Sequence, residues 1–234
     1  MTTQQTNDEI GQFFDHFRRM SAYFQKQLTP DFHSPANHEL LAGKMACCAL
    51  LDALSMARFP DEQGHKKRFC DFVGQFSSCD CWGRISIPQL LYGLQRSSDI
   101  GHDRLKKHAE SLLARQAGYA ITQDPLCSEL ITRFPESETK VNKYCHLHLF
   151  YRYRCNLVHE MRIPGEGYEF ESTLKPCYQG ETEIPTGRLI FRLTYPLKFF
   201  FSLCDECTAN LEKYFLTGNK SPYEVYRSRF GDDW

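Results

Sequence analysis

The chain has 234 residues, 41% hydrophobic and 14% aromatic, enough apolar side chain for one generous domain with a sizeable core. Its 28 basic and 29 acidic residues nearly cancel. That excludes a global field that gathers nucleic acid, so any such binding must come from a local patch. Eleven cysteines, an odd number at scattered positions with no secretory pattern at Met1, argue against a disulfide framework and predict a reducing, cytoplasmic setting.

In chain order, a first helix is predicted from Asn7 or Asp8 to Leu28, marked by Ile10, Phe13, Phe14, Phe17, Met20 and Phe24 at steps of three and four. "TPDFHSPANHE" reads as a loop, and a second helix over 38–58 is apolar almost all round. A third spans 64–77. Its basic opening, "HKKRF", reads as solvated. "SSCDCWGRIS" is a turn, and Ser86 caps a shorter helix that tolerates Pro88 in its first turn. Helices follow at 102–116 and Leu126–Phe134, with "AGYAITQDP" irregular between them.

A long helix from Glu138 to Met161 is ended by "IPGEG". Strand-like alternation then appears in "GYEFES" and "GRLIFRLTYP", separated by turn-forming "QGETEIPTG". A last long helix covers 196–217 and "SPYEVYRSRF" follows; the terminal "RSRFGDDW" reads as a docked or frayed tail. The sum is a mainly all-α protein: a single helical bundle over 1–234 with a small β-hairpin near 167–195. Residues 163–195 form the hairpin and loop insertion before the last long helix.

Cys79/Cys81 in "CDC" and Cys204/Cys207 in "CDEC" are the cysteine spacings that could feed a metal. The second pair lies inside a helical period and neither has a matching partner pair, so structural thiols are the reading and no metal is predicted. No apolar run approaches the roughly 20 residues that span a bilayer. "MACCALLDALSMA" is short and carries Asp52, as a core helix would. No P-loop, dinucleotide fingerprint or Ser/His/Asp context appears.

Chemistry concentrates in "YRYRCNLVHEMR", residues 151–162. On a helix, Cys145, His148, Arg152, Cys155 and His159 share one face, bordered by Asn156. A second stripe reads Leu147, Phe150, Arg154, Leu157 and Met161. The rest is apolar or aromatic, which predicts a helix contacted on most sides. Lys140, Lys143, Arg152, Arg154 and Arg162 stand against Glu160 alone, the one clear anion-attracting patch in the chain. Each arginine needs either a hidden carboxylate or a cleft that receives phosphate. His159 falls in the last turn, where the helix dipole and Glu160 favour an imidazolium and the arginines oppose it, an environment suited to proton exchange.

"RCNLVH", Arg154 to His159, resembles the R-x4-6-H signature of HEPN domains, all-α bundles many of which are metal-independent endoribonucleases. Arg154 fits as R-x4-H and Arg152 as R-x6-H. "VHEMRIPGEG" and the helix after a short insert are also similar to HEPN-like bacterial proteins. The resemblance implies a homodimer through the 138–161 helix, with two Arg/His sets in one cleft and no cofactor. His159 would be the general acid/base and Arg154 would stabilise the phosphorane, while Arg152, Asn156, Glu160 and His148 would bind. RNA would be the substrate or ligand, and a toxin or defence role would bring a regulatory or antitoxin partner. No membrane is implied. Where the family commonly has asparagine directly after the arginine, this chain has Cys155, with Asn156 one later. Family spacing favours Arg154. Helix geometry favours Arg152, because Arg154 and His159 lie about 140° apart on an ideal helix. A non-catalytic HEPN-like dimerisation module that binds RNA, nucleotide or protein is the alternative.

Overall fold

The computed structural model describes residues 3–28, 38–62, 64–97, 100–114, 118–163, 173–184 and 187–230. It is mainly helical with one small antiparallel sheet, as the sequence predicts. The chain forms two compact units: 1–78, 157–162 and 197–234 in the first, 79–156 and 163–196 in the second.

The first unit holds α1 (Thr3–Gln27), α2 (His38–Arg58), α3 (His65–Phe76), α9 (Leu197–Gly218) and α10 (Pro222–Phe230). Phe14 of α1, Leu51 and Leu54 of α2, Phe72 of α3 and Phe200 of α9 are among its fully buried side chains. Gly43 lets α9 approach α2 closely: a Cβ there would lie 2.8 Å from Leu197 Cδ1. By length and composition α2 is apolar enough to cross a membrane, and it is largely buried as a core helix is. Polar bonds supplement the packing, with Ser21 donating to Asp205 at 2.7 Å and Arg18 pairing with Glu212.

The second unit holds α4 (Ile87–Arg96), α5 (Asp103–Leu113), α6 (Cys127–Arg133), α7 (Glu138–Asn142) and the hairpin β1 (Cys177–Glu183) and β2 (Arg188–Thr194). Residues 146–156 of α8 (His146–Glu160) also belong to it, while the last four residues of that helix fall in the first unit. Ile87, Leu90, Leu105, Leu130, Val141 and Phe191 are central to one apolar cluster here.

Four expectations change. The first helix begins at Thr3, because no proline or glycine interrupts the segment before Asn7. The run expected as one helix over 138–161 is two, α7 and α8, since residues 144–146 turn aside to bond elsewhere. Ser86 N–H donates to Tyr144 O at 3.0 Å, His146 N–H donates to Arg84 O at 3.0 Å, and Ile85 bridges Cys145. The hairpin also shifts: β1 uses residues read as turn, pairing Cys177 with Thr194 through Glu183 with Arg188. Gly187, at φ 66°, closes the turn with its N–H on Glu183 O. "GYEFES" and residues 231–234 lie outside the described residues. Finally, Arg68 of "HKKRF" is buried, its Nε donating to Ser55 Oγ at 3.3 Å and its Nη2 bonded to His65 Nδ1 at 2.9 Å.

Candidate functional site

Helix α8 carries the Arg/His residues, and its start is pinned within the second unit by a buried polar cluster. Asp124, 1% exposed, sits beside the first turn of α4. Its Oδ1 accepts from Ile87 N–H at 3.1 Å, and its Oδ2 accepts from His146 Nε2 at 2.7 Å. The Tyr178 hydroxyl of β1 lies 2.6 Å from Asp124 Oδ2 and 2.7 Å from Ser86 Oγ. With one phenolic proton, it donates to the carboxylate and accepts from the serine. Ser86 Oγ in turn accepts the Gln89 N–H at 3.4 Å as the N-cap of α4. Burial, with Asp124 adjacent, pushes the Tyr178 phenol well above its ordinary range. One cluster therefore ties α4, the 124–126 segment, the start of α8 and the hairpin. Buried on all members but Tyr178, it reads as architecture and not as a reaction centre.

The opening of α8 has a second feature. Cys145 precedes the helix and its Sγ donates to Trp82 O at 2.8 Å. A hydrogen bond with the Cys127 thiol, aided by the Leu147 and His148 amides, holds Cys145 down to about 7, while burial opposes. His148 Nδ1–H donates to Asn142 O at 2.6 Å, closing the kink between α7 and α8.

Along α8 the buried side is His146, Leu149, Phe150, Tyr153, Arg154 and Leu157, a 3- and 4-residue stripe. Tyr195, fully buried, seats part of it: its ring centroid is 5.1 Å from Phe150 and 5.2 Å from Tyr153. Its hydroxyl donates to His146 O at 3.2 Å. Arg154 belongs to this buried side, 9% exposed and engaged with neighbouring groups. The other side is different: Tyr151, Cys155, Asn156 and Val158 are half-buried, and Arg152, His159 and Glu160 are exposed. So the helix, expected to be contacted on most sides, is buried along one stripe and half-buried over most of the rest, with Arg152, His159 and Glu160 exposed.

Arg152 Nη2 donates to Lys143 O at 3.0 Å, and its guanidinium stands 5.2 Å from the Tyr144 ring centroid. Tyr144 fits there because Gly93 has no side chain; a Cβ on Gly93 would overlap the Tyr144 hydroxyl. Glu160 pairs with Arg162, and both are exposed. On an ideal helix a separation of seven positions, that of Arg152 and His159 in the sequence, returns to the same face within about 20°. Arg152 is exposed and Arg154 buried within the second unit, and His159, in the first, is exposed.

Sequence reasoning missed Asp124 and Tyr178, since neither "ITQDP" nor "CYQG" carries a local sign of burial. Cys204 and Cys207 are buried on α9, and Cys204 Sγ donates to Cys47 O at 3.5 Å. Among the described residues, no group of three or more His, Cys, Asp or Glu side chains is placed to hold a metal ion. No protein-family model, curated protein or solved structure matches the chain.

Proposed function

We propose that this chain is a HEPN-type, metal-independent endoribonuclease that works as a homodimer through the partly exposed side of α8. The observation that carries the reading is that Arg152 and His159 are each exposed while Arg154 is buried, with Tyr151, Cys155 and Val158 half-buried. Half-covered apolar side chains around an arginine and a histidine fit an interface that closes on a polyanion. Two copies related by a two-fold axis would bring both Arg/His sets into one cleft.

In this reading His159 takes the proton of a ribose 2′-OH as that oxygen attacks phosphorus. A histidine, this one or its symmetry mate, gives a proton to the departing 5′ oxygen. The guanidinium neutralises charge on the phosphorane. The products are a 2′,3′-cyclic phosphate and a 5′-OH end. Arg152, the R-x6-H arginine, takes the phosphate role, and Arg154, the R-x4-H arginine, supports the helix from its buried side. Asn156, Glu160 and His148 flank the site. A toxin or defence effector held by a regulatory or antitoxin partner is the biological setting this activity suits.

The test is cleavage of a labelled mixed-sequence RNA in excess EDTA by wild type, His159→Ala and Arg152→Ala, with oligomeric state recorded for each. Cleavage by the wild-type dimer alone supports the proposal. A folded wild-type dimer that binds RNA without cutting it supports the non-catalytic module instead. Arg152, engaged by Lys143 O and the Tyr144 ring, is the observation that favours that second reading.

A further inference from the structure

Between α3 and α4 the chain reads Ser77-Ser78-Cys79-Asp80-Cys81-Trp82-Gly83-Arg84. In an extended strand, residues two apart lie about 6.4–6.8 Å from one another. Here two successive turns fold the segment: Trp82 N–H donates to Cys79 O at 3.4 Å, and Arg84 N–H donates to Cys81 O at 2.9 Å. They bring Cys79 Sγ and Cys81 Sγ to 2.6 Å. That is well inside the roughly 3.5–4.0 Å at which even carbon atoms make their best non-bonded contact. The two sulfurs are poised for a bond.

We propose that Cys79 and Cys81 are a redox-active dithiol, which a low-molecular-weight disulfide such as glutathione disulfide converts to an intramolecular Cys79–Cys81 disulfide. Exposure sets the order of attack, since Cys79 is half-buried while Cys81 is 2% exposed. Cys79 gives up its proton, attacks one sulfur of glutathione disulfide and expels a glutathione thiolate. Cys81 then gives up its proton and attacks the Cys79 sulfur of the mixed disulfide, expelling the second glutathione thiolate. The two protons end on the two glutathione thiolates, so two protein thiols are oxidised as one glutathione disulfide is reduced. The thiol–thiol hydrogen bond acts in the same sense: with burial it pushes Cys81 up, so Cys81 keeps its proton during the first attack.

The test uses the full chain, equilibrated in glutathione buffers from reducing to oxidising, acid-quenched, alkylated and digested with trypsin. Cys70, Cys79 and Cys81 fall in one peptide, 69–84. The expected change is from three alkyl groups to one, located on Cys70, with the mass of the peptide backbone lower by two hydrogens and full reversal by dithiothreitol. In Cys81→Ser, glutathione should be trapped on Cys79. The Cys127→Ser/Cys145→Ser variant, which removes the other thiol pair of this unit, should leave the result unchanged. Three alkyl groups at the most oxidising buffer, a bond that uses Cys70, or stoichiometric zinc released with these thiols overturns the proposal.

Discussion

Removing one oxygen, by Tyr178→Phe, tests whether the buried cluster organises the second unit. The phenol makes two bonds, at 2.6 Å to Asp124 Oδ2 and 2.7 Å to Ser86 Oγ. A bond to a charged acceptor contributes about 1.5–3 kcal/mol and a neutral one about 0.5–1.5 kcal/mol. Asp124 keeps its bonds from His146 and Ile87, so part of the loss is absorbed. The expected cost is about 2–3 kcal/mol. For a chain of this size that lowers Tm by about 4–12 °C.

Alkaline pH gives a second signature of the same group. Burial is the main cause pushing the phenols of Tyr119, Tyr178 and Tyr195 upward. Each keeps its proton when folded and loses it near pH 10 when unfolded, so the unfolded chain binds fewer protons above that pH. Stability from these groups is therefore complete below about pH 10 and falls above it, by about 1.4 kcal/mol per pH unit for each phenol. Urea unfolding from pH 9 to 11 measures the slope, which Tyr178→Phe should reduce by one proton. A cost under about 0.5 kcal/mol at neutral pH together with an unchanged alkaline slope refutes the reasoning.

Two other outcomes follow from α8. Arg154→Ala should destabilise by about 2–4 kcal/mol because it removes a buried, engaged guanidinium. Arg152→Ala should cost no more than about 1 kcal/mol, the size of an exposed cation–π contact; paired urea melts measure both. Cys145 should be alkylated by iodoacetamide with a half-maximal rate near pH 7, whereas Cys127, Cys204 and Cys207, all pushed upward, should stay slow. Peptide-resolved alkylation across pH 5–9 reads the contrast.

Much of the helical frame was legible because it is written locally. Ser86 and Pro88 announce the start of α4, and the phenylalanine spacing of α1 and α3 announces their buried faces. The break between α7 and α8 was not legible. Residues 138–161 have helical periodicity throughout, and what interrupts them is pairing with Arg84 to Ser86, some sixty residues earlier in the chain. The hairpin misled for a related reason. Gln179, Gly180 and Glu181 have turn chemistry, yet partners on β2 hold them in register. At the candidate site, spacing alone left two arginines open. Burial separates them, with Arg154 inside and Arg152 outside, and burial is set by packing that the spacing does not encode.

The most direct measurement of the central claim is the rate and end chemistry of RNA cleavage in excess EDTA. We predict that the wild-type dimer yields 2′,3′-cyclic phosphate and 5′-OH ends, and that His159→Ala and Arg152→Ala each slow cleavage by about 10²-fold or more while remaining dimeric. Arg154→Ala, in whatever fraction stays folded, should still cut. Cleavage at wild-type rates by folded His159→Ala, or products ending in 3′-OH and 5′-phosphate, would contradict the account.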